Sequence, residues 1–168
     1  MIELSDKDIA SYFRRSYTSV DGLWFMKVEG RRGFDEALET DREVWEVLPK
    51  IQARTLKALT CLDRGMEALF QCLTTKLTLE EYGFTAAWEG DHAFKIMISG
   101  CPWYDMMRRA GREELAGMVG ACICHTEYAV WASEFDRDIH FEISRFLCGG
   151  DDYCQLEFRS METAPSHS

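Results

Sequence analysis

Seven cysteines are spread through the 168 residues, and their thiols carry the most distinctive chemistry in the chain. Cys148 and Cys154 flank the stretch Gly149-Gly150-Asp151-Asp152-Tyr153. If that stretch turns a hairpin, pairing of its arms brings the two sulfurs close together. Two thiols fixed by one turn are half of a tetrahedral thiolate centre, because zinc takes four nitrogen or sulfur ligands. On the second arm Cys154 shares parity with Leu156 and Phe158, which places it on the inward face. The gap between the two cysteines is wider than the roughly two to four residues usual in such pairs. A second reading therefore stands beside the first: both are small core hydrophobes, as free cysteines commonly are.

Cys101 ends an alternating segment just before Pro102, and Cys122 and Cys124 follow in a helical stretch. Residues two apart on a helix point about 200° from each other, so only one of that pair reaches a shared site. Cys124 falls with Tyr128, Trp131 and Phe135 on an apolar stripe, whereas Cys122 lies nearer His125 and Ala129. Periodicity thus favours Cys122 as the ligand and Cys124 as core. The expected metal set is Cys101, Cys122, Cys148 and Cys154, with zinc as the metal. An iron–sulfur cluster is the less favoured occupant, since four thiolates suit it as well. Cys61 and Cys72 sit on amphipathic helices and read as structural. His125 is a further nitrogen donor; His92, His140 and His167 carry weaker signals, in a turn, on a strand face and in the tail.

Two carboxylates stand out as candidate catalytic groups. Asp41 interrupts the apolar stripe of a helix, where burial would raise its pKa and suit it to act as a general base. The competing reading makes it a buried partner for Arg14, Arg15 or Arg54. Glu127, just after the central cysteines, is placed to serve as a base beside a metal-bound water. Asp21 and Glu29 lie about 12 Å apart along one helix and cannot share an ion without help from another element. No Gly-rich phosphate loop, nucleophile elbow or metalloprotease helix motif is present.

The elements that must position these groups belong to a packed globule, since 46% of the residues are hydrophobic and 12% aromatic. The formal charge of −10 argues against nucleic acid as a partner, because phosphate binders concentrate positive charge. No segment reaches the ~20 apolar residues of a membrane span, and Met1–Ala10 does not resemble a secretory signal. The expected location is the cytoplasm, where thiols stay reduced and an odd cysteine count points to metal or free thiols. A small-molecule ligand and a homo-oligomer both remain open as partners.

The first half reads as helical. Ser5 caps a helix from Asp6, with Asp8 completing a capping-box variant, and Gly30–Gly33 ends it. A second helix is expected from about Phe34 to Cys61, kinked at Pro49, and a third from Met66 to Leu77. Phe84–Trp88 and Ala93–Ser99 alternate as a hairpin around Glu89-Gly90-Asp91. A short helix follows over Trp103–Ala110, then a longer one over Arg112–Phe135, interrupted near Gly117–Gly120. Ile139–Ser144 and Tyr153–Phe158 form the last hairpin. The expected fold class is α+β: a helical N-terminal half packed with a small antiparallel sheet of two hairpins and intervening helices. It forms one domain over residues 1–160, with 161–168 as a disordered tail.

Asp21-Gly22-Leu23-Trp24-Phe25, then Val28-Glu29 and Gly33, with Ala37-Leu38, Asp41 and Trp45 beyond, resembles the N-terminal signature of a small bacterial and archaeal family of unknown function. That family stands beside the L-2-amino-thiazoline-4-carboxylic acid hydrolases. Cys101, a cysteine near Cys122, Glu127-Tyr128, Cys148 and Cys154 fall where its cysteines fall. The ending from Cys148 to Cys154 is also similar to the close of 4-vinyl reductase-type domains, sensor or accessory modules that bind zinc. Those domains have a glutamate three residues before the first cysteine, where this chain has Arg145, so their ligand set does not transfer whole. The resemblance implies a small-molecule-binding or accessory module with a metal–thiolate site. Its alternative implication is a metal-assisted hydrolase of a small cyclic amidine, which needs three protein ligands and an open position for water.

Overall fold

In a computed structural model that describes residues 2–161, Ser5 opens the first helix as its sequence predicts. Its hydroxyl accepts the Asp8 N–H at 3.2 Å, and the Asp8 carboxylate takes the Ser5 N–H at 3.3 Å. Helix α1 runs Asp6–Arg32 and stops at Gly33, whose φ of 94° only glycine adopts freely. Helix α2 spans Phe34–Trp45 and α3 spans Leu48–Thr60. One kinked helix was the expectation for this stretch; two helices replace it. Pro49 sits in the first turn of α3, where its missing N–H leaves no bond unmade, so the chain breaks before the proline.

The remaining elements are α4 (Gly65–Leu79), β1 (Gly83–Trp88), β2 (Ala93–Gly100), α5 (Pro102–Arg109), α6 (Glu113–Phe135), β3 (Ile139–Arg145) and β4 (Cys154–Ser160). The fold is α+β, with a four-stranded antiparallel sheet in the order β1-β2-β4-β3. The two expected hairpins lie side by side, joined where β2 pairs with β4. Met161 still donates to the Asp138 carbonyl at 3.1 Å; the rest of the expected tail, 162–168, lies outside the described residues. Among the described residues no helix is long and apolar enough to cross a membrane.

Chain contacts divide the molecule into two compact units, Met1–Glu43 and Val44–Ser168. In the first, α1 contributes no buried residue along its 27 positions. Phe25 and Phe34 meet edge-on across the α1–α2 corner, centroids 5.9 Å apart.

The second unit holds the core. Phe94, Ile96 and Ile98 on β2 alternate inward beside Cys154, Leu156 and Phe158 on β4, and all six are buried. Their register sets Phe94 against Phe158, rings stacked at 4.8 Å, and Ile98 against Cys154. Helices α3, α4 and α6 cover them with Ala53, Leu69, Leu73, Leu77, Trp131 and Phe135. Helix α6 is continuous through Gly117 and Gly120, contrary to the expected interruption. The packing of Cys148 against that stretch gives these glycines another purpose.

Candidate thiol site

Four thiols converge at one end of the second unit, each delivered by a different segment. Cys101 follows β2 and is the N-cap residue of α5. Cys124 lies midway along α6. Cys148 sits in a single 3₁₀ turn, Leu147–Gly149, and Cys154 is the first residue of β4. Ionisation of any one raises the pKa of another, in a way that links all six pairs.

The approach of Cys148 depends on α6. A Cβ at Gly120 would overlap the Cys148 sulfur, and one at Gly117 would stand 3.3 Å from the Cys148 carbonyl oxygen. Gly117, Gly120 and Cys124 follow at spacings of three and four, so they line one helix face. The glycines form a notch, and Cys124 lies one turn beyond it. Cys122 points about 200° round the helix. Cys124 therefore lies on the face turned to the notch, and Cys122, the expected ligand, lies on another face of α6. The apolar stripe that holds Tyr128 and Trp131 runs on into the thiol corner, so one face of α6 carries both core and thiol positions. The signal that could have found Cys124 is the Gly-x-x-Gly-x-x-x-Cys spacing.

Backbone donors are aimed at two of the sulfurs. The Leu147 N–H donates to the Cys154 sulfur at 3.2 Å. The Trp103 and Tyr104 N–H groups at the start of α5 draw the Cys101 pKa down without completing a cap hydrogen bond. Burial outweighs these donors: it pushes the Cys101 thiol up to about 11, and lifts Cys124, Cys148 and Cys154 above the ordinary thiol value. Burial thus disfavours the thiolate form at all four. Among the described residues, no group of three or more His, Cys, Asp and Glu side chains is arranged so that it could hold a metal ion as it stands. The donor chemistry fits a thiolate-loving metal, whereas the side-chain placement would have to contract around it.

Beside the thiols lies a second buried polar group, built on Lys76 of α4. Lys76 is 3% exposed. It donates to Glu127 of α6 and makes an ion pair of 3.0 Å with Glu80. The Tyr82 and Tyr128 rings stand 5.1 and 5.9 Å from its ammonium. Burial pulls the Lys76 pKa down, but Glu127 and Glu80 more than offset it and the net shift is upward. Burial pushes the Glu127 carboxyl up, and Lys76 pulls it only part of the way back. Gln52 closes the group by donating to Glu80 at 3.1 Å. Sequence reasoning missed Lys76, although a lysine among Leu69, Leu73 and Leu77 on a buried stripe is itself a signal.

The other candidates are dispersed. Asp41 lies half-buried on α2 in the first unit. Arg54, one of its suggested partners, forks onto Glu134 at 2.8 and 3.0 Å. His125 packs edge-on against Phe141 at 5.8 Å. Cys61 is exposed at the end of α3, and Cys72 is core, 3.7 Å from the Thr60 hydroxyl. His167 lies outside the described residues.

No curated protein matches the chain. The model of a family of unknown function, DUF6125, matches residues 5–160. It brings no link to the hydrolases or to 4-vinyl reductase-type domains. The match takes in α1, the glycine notch and all four converging cysteines, and on that extent the chain belongs to this family of unknown function.

Proposed function

We propose that the protein is a small zinc–thiolate binding or accessory module of a reducing compartment, in which Cys101, Cys124, Cys148 and Cys154 would hold one ion. One observation carries the reading: four thiols from four separate segments gather at one end of the second unit, with Cys148 seated against the glycine notch of the helix that carries Cys124. Four sulfur ligands make a closed, structural site. When bound, zinc would supply the positive charge that turns neutral buried thiols into thiolates, and the Leu147 N–H would remain as a donor to one of them. A closed site leaves no position for a reacting water. Glu127, buried and gripped by Lys76, is also poorly placed to act as a base. Both points weigh against the cyclic-amidine hydrolase.

Metal analysis of the purified chain tests this. About one zinc per chain is expected, with most of it lost in Cys124→Ser and retained in Cys122→Ser. The reverse pattern would return Cys122 to the site. A brown, iron-containing protein would move the same four sulfurs to a cluster. A colourless wild type without metal, even after reconstitution under reducing conditions, would sink the proposal.

A further inference from the structure

The apolar face of α1 has a regular design that the thiol site does not use. Asp6, Ile9, Phe13, Ser16, Val20, Leu23 and Lys27 recur at alternating spacings of three and four, the seam of a coiled coil. Phe13 is 65% exposed, and Ile9, Val20 and Leu23 are exposed as well. Tyr12, Trp24 and Met26 flank the seam and are likewise exposed. A shallow depression lined by Val20, Leu23, Trp24 and Lys27 follows the C-terminal half of the same stripe. The seven apolar side chains together expose an area on the order of the ~800 Å² per partner that a specific interface buries.

We infer that α1 is the interface of an antiparallel homodimer. The charge pattern chooses this occupant. At the N-terminal end Asp6 and Asp8 outnumber Lys7, whereas at the C-terminal end Lys27, Arg31 and Arg32 outnumber Glu29. Two copies running in opposite directions therefore set acid against base at both ends, and parallel copies would set like against like. Reversal about Thr18 also matches the seam from Ile9 to Lys27 with itself, Ile9 of one copy meeting the Lys27 stem of the other. Phe13 of one copy meets Leu23 of the other, and Ser16 meets Val20, so small residues face larger ones. Outside the seam Trp24 faces the small Ala10, and Tyr12 faces Met26. A polar residue such as Lys27 within an apolar seam fixes register at some cost in stability.

Sedimentation of the full chain at micromolar concentration, followed by carbodiimide cross-linking, tests the dimer. The expected mass is twice the 19.4 kDa of one chain. Phe13→Glu with Leu23→Glu should reduce it to one chain while the helical circular dichroism is kept. The cross-link expected is Asp6–Lys27, which cannot form within one chain because about 30 Å of helix separates them. A monomer at every concentration overturns the inference, including one that instead binds anionic vesicles. So does a dimer that survives the double variant, or one cross-linked Asp6 to Lys7 between copies but never Asp6 to Lys27.

Discussion

Helices α6 and α1 are of similar length and opposite character. Helix α6 lies against the sheet and against α3, α4 and α5. Gly117 and Gly120 admit Cys148, Cys124 joins the thiols, Glu127 grips Lys76, and Tyr128, Trp131 and Phe135 fill the core. Helix α1 buries nothing fully, leaves an apolar seam open, and half-buries Asp21. Burial alone pushes the Asp21 carboxyl from 3.8 up to about 6. On α6 the buried Glu127 carboxylate is met by Lys76, whereas on α1 desolvation drives the Asp21 shift and makes its charged form costly. The difference separates a helix whose inward face is met within its unit from one whose apolar seam is left open.

The largest expected effect strikes the α6 side. Lys76→Met removes the one cation between Glu127 and Glu80 and leaves two carboxylates confined together, at a cost of about 3–5 kcal/mol. Glu127→Gln should cost distinctly less, about 1–2 kcal/mol, because Glu80 still holds the ammonium at 3.0 Å. Denaturant midpoints of the two variants read the contrast. Equal losses would show that Glu80 does not share the charge.

Next comes the notch. Gly120→Ala puts a methyl group where the Cys148 sulfur lies. The 3₁₀ turn must retreat, and overpacking of this kind costs about 1–3 kcal/mol. Because alanine favours helix over glycine by about 1 kcal/mol, α6 itself gains, and the damage should fall on metal retention more than on helicity. A variant as stable as wild type with full metal content would mean that Cys148 does not need the notch.

Elements whose local chemistry agrees with their place were legible from the sequence. The Ser5–Asp8 box, the Gly33 stop and the alternation of Phe94, Ile96 and Ile98 each encode their outcome within a few residues. Pro49 was misread because a proline inside an apolar period fits both a kink and a fresh start, and only packing decides between them. The glycines of α6 were misread as breakers because their benefit comes from Cys148, which lies 28 residues beyond Gly120. The same long-range contact marks the face of α6 that carries Cys124, whereas helical periodicity can separate Cys122 from Cys124 but cannot rank them. Lys76 was invisible for a related reason: its partner Glu127 lies on another helix, 51 residues away.

The smallest effect expected is on α1, and it has a distinctive pH dependence. Below about pH 4 Asp21 is protonated whether the chain is folded or not, and contributes no charge cost. Between about pH 4 and 6 the unfolded chain releases the proton while the folded chain keeps it. The unfolded state then binds fewer protons, so stability falls as pH rises. Above about pH 6 both states are ionised and the loss is constant. Asp21→Asn cannot ionise and escapes that fall. It should match wild type near pH 4 and exceed it at pH 7 by on the order of 1–2 kcal/mol, given that the carboxyl is only half-buried. Urea unfolding at pH 4, 5, 6 and 7 measures the divergence. A gap that is the same at all four pH values would mean that Asp21 is not desolvated. A variant less stable than wild type at pH 7 would mean that its charge is compensated, and α1 would then resemble α6 after all.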